Sequence, residues 1–410
     1  ATSRHRLRRP SAHIMLLAAT LFFIPAAALP PPTSAGALVV GGSGRVGGST
    51  VRWLYELSRR HGSGGLPVAI GGQSAATFAA AQRRLLQKGV PAAELQFVPM
   101  DVEASVDALR PVVRGRAIVV HTAGPFQGRR DPTLLAACVA EGVPYVDVCD
   151  EWPLAQQAKA SLHQPAIDQK TTAVTAAGIW PGASALMAAE AVSRLGSGGC
   201  EKLDLSFFTA GTGNAGPTIV SATFLLLCQD ALTYSGGREV QKEPWTERVE
   251  VDFGPGVGVR AGWLLDNPDV PTCHVALRVP SIASRFGTAP MPWNYLFGGM
   301  KAVPARILGD RALMQSFSRF SEPIIRLVDR LVGATNAMRV DAYGREGQQV
   351  TLRVAHDDLE VCVGLATAAF ALEVLSGSVP PGVWYPAELP PEARARILEV
   401  IREGAIVWDM

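Results

Sequence analysis

Two groups of residues in this sequence have the types and spacing to do chemistry. The first is the run Gly41-Gly42-Ser43-Gly44-Arg45-Val46-Gly47-Gly48, in which Gly42, Gly44 and Gly47 supply G-x-G-x-x-G. An apolar run (37–42) precedes it and a helical pattern follows, the setting in which such a loop cradles a pyrophosphate. There Gly42 makes the tight turn, Gly44 lets the backbone approach the phosphates, and Gly47 lets helix and strand pack closely. Free N–H groups at the helix start, alongside Ser43, Arg45 and Val46, would face the anion. The alternative is the same architecture without a ligand. The next apolar run ends Gly71-Gly72-Gln73-Ser74, lacking the acid that usually holds a ribose 2′-hydroxyl. A neutral end does not repel a 2′-phosphate; Gln73 and Ser74 lie at it, Ser74 can hydrogen-bond it, and Arg45 adds charge. NADP is therefore favoured, with NAD as the alternative. Arg83 and Arg84, further along the helix, read as solvated. Asp101, after a third apolar run, reads either as an adenine contact or as a helix N-cap.

The second group is acidic. Asp147, Asp150 and Glu151 follow an apolar run at 143–148. They read as proton donors and acceptors, or as an N-cap cluster before Trp152-Pro153. His121 titrates in a useful range, but a satisfied structural histidine is the plainer reading; His274, on an alternating run, is read the same way. There is no Ser-x-x-x-Tyr-x-x-x-Lys constellation, which argues against a typical short-chain dehydrogenase.

These residues need a scaffold, and periodicity supplies one. Apolar runs at 37–42, 66–71, 95–100, 117–121, 143–148 and 171–175 alternate with helical patterns at 46–60, 75–88, 103–110, 132–141, 153–160 and 182–195. That repeat predicts an α/β fold, a doubly wound parallel Rossmann sheet over 37–196. After Gly196 the runs 202–209, 247–253, 272–279, 338–343 and 349–355 alternate, predicting a mostly antiparallel sheet. With helices at 217–232 and 311–333 they make a second, α+β domain over 197–356. A helix at 359–375 is expected to return to the first domain, with a tail to 410.

Composition sets outer limits. The chain has 410 residues, 48% hydrophobic and 18% charged, and a formal net charge of +2. This suits a well-buried enzyme and gives no reason to expect a nucleic-acid partner. Six scattered cysteines without C-x-x-C spacing argue against a zinc site or a disulfide framework. Residues 1–36 join arginines to a short apolar run and small residues, a pattern shared by transit and signal peptides. The helix at 217–232 would suit a homodimer interface. The run 292–297 (PWNYLF) suggests a membrane contact, although a core-packed aromatic loop is the simpler expectation.

The segments IVVHTAGPFQG (118–128) and GVPYVDVCDE (142–151), then GIWPGASALMAAE (178–190), TAGTGNAGPT (209–218) and TAAFALEVLSGSVPPGVWYPAEL (367–389), resemble the saccharopine dehydrogenase-like reductases. The later segments are similar to plant and algal plastid members, which implies a chloroplast destination, with the secretory pathway as the alternative. The resemblance implies that Thr122, Ala123, Gly124, Pro125 and Phe126 line the nicotinamide side of a cleft. It also implies hydride transfer at an imine, amino-acid-type or carbonyl substrate, needing an acid/base group and a carboxylate-binding cation. Asp150 stands where the family pattern has glycine, so a substrate contact there does not carry over. A nucleotide-holding subunit without catalysis is the competing expectation.

Overall fold

Short β-branched runs such as AGALVV and RAIVVH suit strands buried on both faces, because helices cover both sides of a parallel sheet. The computed structural model describes residues 35–60, 65–212 and 217–410. The targeting segment expected at 1–36 lies almost wholly outside the described residues, as does the middle of the 209–218 loop. The chain runs β1 (Ala35–Val40), α1 (Arg45–Arg60), β2 (Val68–Gly72), α2 (Ala75–Gln87), β3 (Leu95–Pro99), α3 (Val106–Val113) and β4 (Arg116–His121). It continues through α4 (Thr133–Ala140), β5 (Tyr145–Asp147), α5 (Trp152–Asp168), β6 (Thr172–Val174) and α6 (Ala183–Arg194). These strands pair in parallel in the order β3-β2-β1-β4-β5-β6. Along β1, Ala37 and Val39 join the core of Val51 and Leu54 from α1. Leu38 and Val40 join that of Leu109 and Leu135 from α3 and α4 on the opposite face.

The second domain holds β7 (Cys200–Ala210), α7 (Pro217–Leu226), β8 (Ala231–Ser235), β9 (Arg238–Lys242), β10 (Val249–Asp252), β11 (Val259–Leu264) and α8 (Asp269–Leu277). Then come β12 (Ser281–Ala289), α9 (Met291–Met300), α10 (Ala305–Leu308), α11 (Arg311–Val332), β13 (Asn336–Gly344) and β14 (Gln349–His356). Its sheet is mostly antiparallel, with β12 and β7 parallel. Three expectations are corrected. Residues 272–279 are not a strand: α8 buries its whole first half, Asp269 to Cys273, and Arg278 stops it in a left-handed turn at φ 55°. His274 therefore sits on a helix, its Nδ1 2.9 Å from the Val279 carbonyl and its ring stacked 3.7 Å from Tyr234. The helix expected to 232 ends at Leu226, and β8 follows. The PWNYLF run lies in helix α9, with Tyr295 and Leu296 exposed.

The chain closes through α12 (Leu359–Leu375), β15 (Gly382–Trp384), α13 (Pro391–Ile401) and β16 (Ala405–Asp409). Helix α12 is apolar on all sides because it is enclosed, as such a sequence requires. It crosses α1 at Gly364, where a β-carbon would lie 2.5 Å from Ser49 Cβ. Beyond it the tail serves both domains: β15 adds a seventh parallel strand beside β6, and β16 pairs with β14.

Candidate active site

Strand order reverses between β1 and β4, so the loops leaving their carboxyl ends part and open a crevice, the usual ligand position in such sheets. The glycine loop leaves β1 and residues 122–126 leave β4. Local geometry corrects one assignment. The tight turn belongs to Gly41, at φ 82°, and not to Gly42, whose φ is not positive. A β-carbon on Gly41 would lie 2.8 Å from the Ala123 Cα. Gly44 N–H donates to the Gly41 carbonyl at 2.8 Å, closing the turn. A β-carbon on Gly47 would come within 2.5 Å of Thr122 Oγ1, itself donating to the Val40 carbonyl at 2.9 Å. The working spacing is thus Gly41, Gly44, Gly47. The adjacent glycines in the sequence carried that signal.

The rim of β2 also differs from expectation. Ser74 Oγ accepts from Thr77 N–H at 3.3 Å as the N-cap of α2, while Gln73 stays exposed. Arg84, expected in solvent, folds back and donates to the Ser43 carbonyl at 2.7 Å. Nothing in its local sequence marks it, since one turn of α2 makes the approach. Ser43 Oγ is buried without a partner. Asp101 Oδ1 accepts from Glu103 N–H at 3.0 Å and so caps its own turn. Arg45 pairs with Glu360 of α12 at 2.9 Å; burial raises Glu360 to about 7 despite that arginine.

A cavity of about 550 Å³ fills the crevice. Gly44, Arg45, Val46 and Gly47 form one wall, and Thr122 to Phe126 a second. Phe126 is only 3% exposed, its ring tilted against His121 at 4.9 Å with the Arg129 guanidinium over it at 5.6 Å, so it is held by its neighbours. The remaining wall comes from the second domain, including Asp266, Asn267 and Phe286. Gly42, Ser43, Gln73, Ser74 and Asp101 lie off the cavity wall.

The three acids separate. Asp150 lines the cavity, and burial pushes its carboxyl above the usual range while Gln127 pulls it back. Its φ is not positive, so replacing glycine costs no strain here. Asp147 is 6% exposed and braces two loops, accepting from Cys149 N–H at 3.0 Å and Ala176 N–H at 2.8 Å. Burial raises it to about 6. Glu151 sits behind Asp150, accepts from Gly128 N–H at 3.4 Å, and is raised by burial to about 7. His121 contacts Tyr145 Oη at 3.0 Å and is held down to about 3 by burial, so it is a neutral structural ring. Asp266, on the loop after β11, faces the same cavity, accepts from Leu232 N–H at 3.0 Å, and is raised by burial to about 6. No sequence signal pointed to it. The site thus pairs one carboxyl from each domain. Among the described lining residues the cation is Arg45, already paired with Glu360.

Residues 37–174 match the saccharopine dehydrogenase NADP binding domain. The whole fold overlays the apo, histidine-tagged saccharopine dehydrogenase (L-Glu forming) of Saccharomyces cerevisiae with a TM-score of 0.58. That overlay has 13% identity and covers 90% of this chain and 97% of that one. An amine dehydrogenase of Mycobacterium smegmatis gives a looser overlay, TM-score 0.44 at 10% identity, over 87% of this chain and 96% of that one. No curated protein matches the sequence.

Proposed function

We propose that this chain, which carries a saccharopine dehydrogenase-type NADP-binding domain, is an NADP(H)-dependent oxidoreductase acting on a carbonyl or imine. The observation that carries the reading is Asp150, a half-buried carboxyl lining the same cleft as the glycine loop. The residues fit a dinucleotide. The loop leaves no room for β-carbons at Gly41 and Gly47, and Ser43 Oγ awaits a partner. Gly44 to Gly47 and the α1 N-terminus would hold the pyrophosphate, and Arg84 with Arg45 would favour a 2′-phosphate. Bound NADPH supplies the hydride.

The chain's own work is orientation and proton supply. Asp150, its carboxyl raised above the usual range by burial, gives a proton to the substrate oxygen or nitrogen as the carbon is reduced; in oxidation its carboxylate takes that proton back. Asp266 lines the same cavity and favours a protonated or hydrogen-bond-donating group. Three lining acids, Asp150, Asp266 and Glu360, and one arginine paired with the last suit a substrate without a carboxylate. This departs from the carboxylate-binding cation that the family resemblance implies.

Titration of the full chain with NADPH and NADH, followed by nucleotide fluorescence, tests the cofactor. NADPH is expected to bind tighter, and Arg84→Glu to cost it at least about tenfold, the effect of one charge-assisted contact of about 1.4 kcal/mol. Equal affinities would overturn the NADP assignment. NADPH binding without consumption across ketones and imines would favour a nucleotide-holding subunit. A chloroplast destination remains part of the proposal; a fluorescent reporter fused to residues 1–40 tests it, and secretion overturns it.

A further inference from the structure

Beyond the cleft lies a second cavity of about 650 Å³, enclosed by α7, α9, α10 and α11. The two adjoin, with Trp180, Thr223, Phe286 and Leu359 lining both. Among the described residues no ionisable side chain lines it. Four of its hydroxyls are committed to the protein: Thr209 Oγ1 donates to the Gly211 carbonyl at 2.9 Å, Thr288 Oγ1 to the same carbonyl at 2.7 Å, Thr212 Oγ1 to the Asp329 carboxylate at 2.7 Å, and Ser321 Oγ to the Phe317 carbonyl at 2.9 Å. Phe224, Leu308 and Met314 form a buried inner end. At the outer end, Phe320 and Ile324 of α11 are wall residues yet 80% and 60% exposed, so the chamber opens beside that helix.

Such a chamber recognises shape and hydrocarbon alone. Its volume lies within the range of small-molecule sites. Its adjacency to the cleft sets what fills it: a chain entering beside α11 and passing Trp180 and Phe286 would carry its far end to Asp150. We infer that the chamber holds the hydrocarbon tail of the substrate whose carbonyl or imine end is reduced in the cleft. This rests on the proposed oxidoreductase reading, and names its substrate class: a carbonyl or imine borne on a long, unbranched or sparsely branched hydrocarbon. The exposed α11 face is the entry, where the tail leaves water.

Binding of cis-parinaric acid to the full chain, followed by its fluorescence and displaced by n-alkanols of increasing length, tests the tail site without turnover. Affinity is expected to rise about fourfold per methylene, the value of burying one, until the chamber is full. Met314→Trp, which fills the inner end, should bring the plateau to shorter chains. Should that variant not fold, Ile324→Glu at the exposed rim should weaken long alkanols and spare short ones. Affinity independent of length, or unchanged in both variants, overturns the inference. So does binding only to phosphatidylcholine vesicles, which would make the α11 face a lipid-docking surface. A concentration-dependent dimer that excludes the probe would overturn it too, making that face a subunit interface. NADPH titration run in parallel separates the two readings. Length-dependent alkanol binding without NADPH binding keeps the tail site and removes the oxidoreductase; NADPH binding with length-independent alkanols does the reverse.

Discussion

Gly47 has no room for a methyl group, because its neighbour is the Thr122 hydroxyl already spent on Val40. Gly47→Ala must push α1 away from β4, a cost of about 1–3 kcal/mol for overpacking. NADPH affinity is expected to fall at least about tenfold, read by fluorescence titration; wild-type affinity would show that the loop does not cradle the nucleotide. Asp150→Asn keeps the shape and removes the proton. Substrate reduction should fall by about 10²–10⁴, the usual share of a general acid, while NADPH still titrates; unchanged turnover would move the proton source to Asp266. At this scale the sequence was partly legible. The glycine spacing is local, so the loop could be read directly, although which of Gly41 and Gly42 takes positive φ depends on where β1 stops pairing. Arg84 and Asp266 could not be found. One reaches the loop through the pitch of α2, and the other comes from a different domain.

Elements were legible where one periodicity ruled. The βα repeats of the first sheet were read nearly in full, because strands buried on both faces leave continuous apolar runs. Residues 272–279 failed for the opposite reason: T-C-H-V-A-L-R-V fits alternation by eye, while α8 buries an unbroken run, Asp269 to Cys273, that follows no single period. That helix begins at Asp269, 1% exposed, which receives a hydrogen bond from Ser184 Oγ. Burial raises Asp269 to about 7 from its ordinary 3.8. The folded state therefore holds a proton that the unfolded chain releases. This contribution to stability is full below about pH 4 and is lost as pH rises through 7. Asp269→Asn should flatten the fall in urea midpoint between acid and neutral pH; an identical slope in the variant would remove Asp269 as its source.

At the scale of the molecule, the two sheets are tied by one tail. Helix α12 lies against α1 and brings Glu360 to Arg45, and β15 and β16 then complete the edges of different sheets. Truncation after Gly377 removes both strands. It is expected to abolish the sharp unfolding transition in circular dichroism and the NADPH titration together. A truncated chain that kept both would show the tail to be ornamental. The return of α12 was expected from the family resemblance and from the new segment that begins at Pro380, but three-residue β15 is too short for a periodic signal. Its place is set by the open edge of β6.

That tail also imposes a timetable on biosynthesis. About 210 residues separate β6 from the strand that covers its edge. At 5–20 residues per second the gap lasts roughly 10–40 s. Through that interval the nascent nucleotide domain shows an unpaired, buried-type strand, and such an edge invites other chains to pair. Chaperone demand should therefore be greatest while the second domain is being made, and should end when residues 382–384 emerge.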